Sequence, residues 1–185
     1  MSQRRLLAVL LLAAALLVPA LPAQAQDLPK AGDALPALAL PAPAVQAHRA
    51  WLGIGDKPAF GVADVDADLV MIEIVGVYCP ICIDQAPTLR KLHARLNRDA
   101  ALKGRVKLVA VAVGATPEEL EYARAEHKAD YPMVADQDFA NHKLLGEPKT
   151  PFTLLVRRDG SVAMTHLGKI DNESAFAAKI GSLLP

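Results

Sequence analysis

The stretch Leu69-Val70-Met71-Ile72-Glu73-Ile74-Val75-Gly76-Val77-Tyr78-Cys79-Pro80-Ile81-Cys82 decides how the rest of the chain is read. Its first seven residues are apolar except Glu73, the pattern of a strand buried on both faces. Pro80 to about Arg98 follows as a helix, with Ala86, Leu89, Leu92 and Leu96 along one side. The two cysteines therefore stand where a buried strand ends and a helix begins. A helix start turns unpaired backbone N–H groups and a partial positive charge toward the Cys79 sulfur. That stabilises the thiolate, lowers the Cys79 pKa and suits Cys79 to attack a disulfide. Cys82, one turn later, lies on the same side, can close a disulfide with Cys79, and should be the more buried sulfur.

A structural bridge explains this spacing poorly, because a disulfide restricts the unfolded chain less as its loop shortens. Metal binding would need further ligands from the five histidines, and none is near in sequence. Redox chemistry is the favoured reading, with metal binding and a structural bridge as its alternatives.

Downstream, the elements alternate. Val106–Val113 is a second buried, β-branched strand. Thr116-Pro117-Glu118-Glu119 opens a helix running to about Ala129, with a capping residue, proline at the first position and acids in the first turn. Met133–Ala135 reads as a short strand and Phe139–Leu145 as a short helix. Phe152–Arg157 and Val162–Leu167 flank Arg158-Asp159-Gly160-Ser161, a hairpin signal. Asn172 caps a last helix with Phe176, Ile180 and Leu183 facing inward. This order gives an α/β sandwich with a mixed sheet, its first two long strands parallel through a right-handed crossover.

Upstream, residues 26–68 are rich in proline and alanine and read as a lead-in of turns and short extended pieces. Trp51, Leu52, Ile54 and Phe60 should pin it to the body, leaving only Gln26 to Asp33 loose. Residues 1–25 form a secretory signal: Arg4 and Arg5, an apolar run from Leu6 to Leu21, then Ala23-Gln24-Ala25. Cleavage is expected after Ala25. The alternative is an uncleaved anchor, since the run approaches the ~18–20 residues that span a bilayer. Cleavage leaves 160 residues, Gln26–Pro185, with 18 basic side chains against 20 acidic, a net charge of −2. Periplasmic localisation follows, a compartment where disulfides persist.

Composition excludes several classes. Of 185 residues, 20 are basic and 20 acidic, so no basic excess exists to neutralise nucleic-acid phosphates. At 52% hydrophobic residues, a disordered chain is excluded too. Two cysteines cannot make a disulfide scaffold, and none of the four serines lies in G-x-S-x-G.

The residues from Val70 to Cys82, with Pro87 five beyond Cys82 and later Thr150-Pro151-Phe152-Thr153-Leu154, resemble the thioredoxin superfamily, most closely its periplasmic TlpA/ResA-like branch. The resemblance covers about Asp68 to Pro185. It implies a thioredoxin-like three-layer α/β sandwich over residues 69–185, with a mixed central sheet flanked by helices. It makes Cys79 the attacking and Cys82 the resolving cysteine of a Cys79–Cys82 redox disulfide. Glu73 matches the family's buried acid; an unpaired carboxyl inside a strand should have a raised pKa and could exchange a proton with Cys82. Pro151 matches the family's cis-proline, leaving the Thr150 backbone to pair with an extended substrate segment. Tyr78, Pro80 and Ile81 complete the substrate-facing surface. Pro87 should only kink its helix.

The resemblance further implies a thiol–disulfide oxidoreductase, a monomer without cofactor or metal. Its partners would be protein disulfides and a membrane electron donor, not nucleic acid. Three positions depart from the family. Tyr78 stands where tryptophan is usual, and the sole tryptophan, Trp51, reads as a core anchor in the lead-in. Pro80-Ile81 is neither the Gly-Pro of reducing thioredoxins nor the Pro-His of strong oxidants, which leans toward a reductant or a mid-potential protein. Gln85 occupies a site where some members carry a functional acid. Lys149 reads as an exposed loop lysine, and His127, His142 and His166 as surface or packing residues. The second hypothesis is a copper-binding metallochaperone on the same fold, which would need His142 or His166 brought to the thiolates. A peroxidase is weaker, because the Pro-x-x-x-Thr-x-x-Cys pattern is absent.

Overall fold

The computed structural model describes residues 27–185; the expected signal peptide lies outside the described residues. The lead-in supplies β1 (Leu40–Pro41), α1 (Gln46–Leu52), β2 (Ala59–Phe60) and a 3-10 turn at Val62–Asp64. Then follow β3 (Leu69–Gly76), α2 (Pro80–Arg98), β4 (Val106–Val113), α3 (Pro117–His127), β5 (Met133–Asp136), α4 (Ala140–Leu144), β6 (Phe152–Arg157), β7 (Val162–Leu167) and α5 (Glu173–Ser182).

Five strands form one sheet in the order β5-β4-β3-β6-β7. The β3/β4 and β4/β5 pairs are parallel, while β6 runs antiparallel to both β3 and β7. The strand that carries the cysteines at its end is thus the central one, covered on both faces, which is why its sequence is almost unbroken in apolar residues.

Alternation along β3 divides the core in two. Leu69, Met71 and Val75 face a cluster with Leu89, Leu92 and Leu96 of α2, Ala123 of α3, and Ala177 and Ile180 of α5. Val70, Ile72 and Ile74 face a second cluster, built with Leu38, Leu40, Leu52, Ile54, Phe60, Val62 and Val65 of the lead-in and Leu145 after α4. Helices α2, α3 and α5 therefore make one outer layer, and the lead-in with α4 makes the other. Among the described residues no helix is long and apolar enough to cross a membrane.

The lead-in crosses the sheet from one edge to the other. Gly32 N–H donates to Val162 O at 2.9 Å, and Ala34 bridges Ser161 beside β7. On the far side, Ala39 N–H donates to Asn141 Oδ1 at 2.9 Å, next to β5. The loose linker expected over Gln26 to Asp33 is corrected for its described residues, 27–33: Pro29 is buried, and Asp33 O accepts from Val162 N–H at 2.8 Å. The cause is an edge strand whose unpaired backbone groups need partners.

Helix ends show the remaining differences. The Thr116 cap closes reciprocally with Glu119, but α3 stops at His127 instead of Ala129, because Lys128 turns left-handed at φ 47°. The short helix starts at Ala140, and buried Asp136 accepts from the N–H groups of Asn141 and His142 at 3.0 and 2.8 Å. Asn172 caps α5 through Ala175 N–H, and Leu183 falls at its C-cap, half-buried.

The candidate dithiol site

Cys79 is the N-cap of α2, in extended backbone at φ −78° and ψ 110°, and Pro80 takes the first helical position, where a missing N–H costs nothing. Cys82 N–H points at Cys79 Sγ from 3.2 Å. That orphan donor of the helix start is a local source of thiolate stabilisation. Cys79 and Cys82 are joined as a disulfide, with Cα atoms 5.2 Å apart. Cys82 is fully buried and Cys79 half-buried, so an incoming group meets the Cys79 sulfur first.

The Thr150–Pro151 peptide is cis, and Cys79 Sγ lies 3.7 Å from Thr150 O. Pro151 is buried and Thr150 half-buried beside the disulfide. Gly76 makes this approach possible: a Cβ there would lie 3.2 Å from both Cys79 Cβ and Thr150 Oγ1. Sequence reasoning passed over Gly76, although a glycine ending a β-branched strand signals close approach by another backbone. Gly76→Val should push the Thr150 segment off the disulfide at a cost of about 1–3 kcal/mol. Urea unfolding would measure that cost, and disulfide exchange should slow more with a protein disulfide than with a small one. Equal slowing of both would refute the positioning role.

Glu73 is fully buried and directly opposite Thr153 in the β3/β6 register. The expectation of an unpaired carboxyl is corrected here. Thr153 Oγ1 donates to Glu73 Oε2 at 2.7 Å, and Gln85 Nε2 donates to Glu73 Oε1. Burial nevertheless outweighs both bonds, and the Glu73 pKa is pushed up to about 7. Gln85, buried on α2, also accepts from Ile170 N–H at 2.6 Å. The sequence marked Gln85 only as a missing acid; the structure makes it the partner of the acid that is present.

Around the disulfide, Tyr78 is 65% and Ile81 53% exposed, large side chains left uncovered at the reactive sulfur. Tyr78 O–H donates to Glu119 Oε1 at 3.1 Å and its ring lies 5.6 Å from that of exposed Tyr122. Tyr122 and Glu119 of α3 thus extend the surface beyond Tyr78, Pro80 and Ile81. Lys149 is exposed. Trp51 is far from this end: half-buried, it donates from Nε1 to Asn97 Oδ1 at 2.6 Å near the last turn of α2.

The histidines do not converge on the sulfurs. His142 Nε2 lies 2.9 Å from Pro148 O, and His166 Nε2 lies 3.1 Å from Lys169 O. His127 is buried, with Nδ1 3.4 Å from Tyr131 Oη. Among the described residues no group of three or more His, Cys, Asp or Glu side chains could hold a metal ion.

A mixed sheet of this order, with a C-x-x-C disulfide heading the helix after its central strand and a cis-proline against it, defines a thioredoxin fold. Solved structures agree. A protein provisionally described as the thiol:disulfide interchange protein DsbE of Chlorobium tepidum matches with TM-score 0.65 and 21% identity, over 86% of this chain and all of that one. A secreted disulfide oxidoreductase of Mycobacterium tuberculosis, homologous to E. coli DsbE, matches with TM-score 0.58 and 14% identity, over 78% and 95%. StoA of Bacillus subtilis matches with TM-score 0.54 and 16% identity, over 72% and 93%. No protein-family model matches the chain, and no curated protein matches it in sequence. The chain thus has the thioredoxin fold.

Proposed function

We propose that this chain is a periplasmic thiol–disulfide oxidoreductase of the TlpA/ResA-like kind, working as a reductant of protein disulfides. One observation carries the reading: a half-buried Cys79 at a helix start, bonded to its fully buried partner Cys82. Names of the structural neighbours support it, as does the signal pattern ahead of residue 26.

In the reduced protein the Cys79 thiolate attacks one sulfur of a partner disulfide. A Cys79–partner S–S bond forms, the partner's own S–S bond breaks, and its second sulfur leaves as a thiolate that takes a proton from water. Cys82 then loses its proton, by way of water, to the Glu73 carboxylate and attacks Cys79 Sγ. The mixed disulfide breaks, the partner sulfur that Cys79 had attacked leaves as a thiolate that takes a proton from water, and the two electrons given up as Cys79–Cys82 forms leave the partner a dithiol. A membrane electron donor restores the dithiol. Thr150, beside Pro151, offers backbone for an extended partner segment.

The test is reduction of a disulfide-bearing protein by dithiothreitol with and without catalytic amounts of this chain. Acceleration is expected; none would sink the proposal. The Cys79–Cys82 reduction potential then fixes the direction, each ~30 mV being about 1.4 kcal/mol for this two-electron couple. No observation favours the copper-carrier alternative.

A further inference from the structure

We propose that Gln85 and Thr153 are positioning residues that assign the proton of Glu73 to one oxygen, Oε2, with the Thr153 hydroxyl as the reversing partner. The inference rests on the redox reading for its use, but not for its measurement. It starts from a backbone group. Ile170 N–H can only donate, and it donates to Gln85 Oε1 at 2.6 Å. The Gln85 amide therefore has one orientation, its NH2 facing Glu73 Oε1. A proton on Oε1 would set donor against donor.

Oε2 meets a different partner. Thr153 Oγ1, 2.7 Å away, is a hydroxyl that donates to a carboxylate and accepts from a carboxylic acid. When Glu73 takes up a proton, Oε2–H becomes the donor and the hydroxyl turns. The loop that fixes Gln85 is itself held: Lys169 pairs with Asp84 of α2, and Lys169 O lies 3.1 Å from His166 Nε2 of β7. The amide direction is thus set by three elements and not by the side chain alone.

The surroundings offer few competing partners. From β4 the residue opposite Glu73 is Ala110. On the same face lie Cys82 of α2, held in the disulfide and so without a titrating proton in the oxidised protein, and Tyr131 ahead of β5, whose phenol pKa is raised by burial and by Glu73. Asp130 and, from α2, Arg90 act on that phenol as well, and His127 of α3 lies beside it.

The experiment is a pH titration of the Glu73 side-chain carboxyl by 13C NMR in the full-length oxidised protein, where no exchange takes place. Thr153→Val should raise the titration midpoint by about one to two pH units, the loss of one hydrogen bond to a charge, and Thr153→Ser should restore it. Gln85→Glu keeps an acceptor for Ile170 N–H but puts a carboxyl against Glu73, so titration should split into two coupled steps. If Thr153→Val and Thr153→Ser titrate alike, or Gln85→Glu leaves a single unmoved step, the assignment is wrong. Shifts as stated in a protein without reductase activity would overturn the proposed function and leave this inference standing.

Discussion

Cys82→Ala should turn a catalyst into a covalent trap. With the resolving sulfur gone, Cys79 still attacks a partner disulfide, and the mixed disulfide has no internal thiol to break it. Turnover is expected to fall to the rate of dithiothreitol alone. On non-reducing gels a partner-sized adduct should accumulate, and reductant should release it. Cys79→Ala should abolish turnover without forming that adduct, because Cys82 is fully buried beneath the surface that partners reach. The half-exposed Cys79 and the N–H of Cys82 aimed at its sulfur both assign attack to the first cysteine. Equal trapping by the two variants would mean that the buried sulfur reaches partners, and the assignment of roles would fall.

Glu73→Gln should make the protein more stable at pH 8 and leave it nearly unchanged at pH 4. In the unfolded chain a glutamate titrates near its ordinary 4.5, whereas burial holds Glu73 at about 7 in the fold. Between those values the native state keeps a proton that the unfolded state has released. Stability is therefore full below pH 4.5 and declines as pH rises to about 7, by about 3 kcal/mol in all. Glutamine carries no charge, can accept from Gln85 and donate to Thr153, and should remove that decline. Urea unfolding of the oxidised proteins at the two pH values measures the difference. A gain that is the same at both would show that Glu73 is not the titrating group. The same substitution should slow release of partner from the mixed disulfide, since Cys82 loses its proton acceptor. In the proposed mechanism, a buried carboxyl that lowers stability at neutral pH is kept for proton transfer.

Most of the sheet was legible because its strands carry local signals. Val106–Val113, Phe152–Arg157 and Val162–Leu167 have the bounds that β-branched runs and the Asp159-Gly160 turn dictate. The parallel pairing of β3 with β4 follows from the helix between them. What escaped is what depends on distance along the chain. Gln85 meets Ile170 across 85 positions, and no local pattern ties a mid-helix glutamine to a backbone N–H so far away. Gly76 carries no signal of its own in the sequence as to which segment approaches it; its small size matters only because Thr150 arrives beside it. In the lead-in, prolines interrupt any period, so the residues that cover a whole face of the sheet, Leu38, Leu40, Phe60 and Val65 among them, could be read as apolar but not as a layer.

That layer gives the molecule a direction. Gly32 and Ala34 join the fold at Ser161 and Val162, where β7 begins, and β7 then climbs six residues to Leu167, level with Phe152 and the disulfide. At about 3.3 Å per residue, some 20 Å of strand separates the point of attachment from the reactive end. Residues 32–34 therefore join the fold at the foot of the sheet. The disulfide stands at its head, at the opposite end of the strands from that attachment.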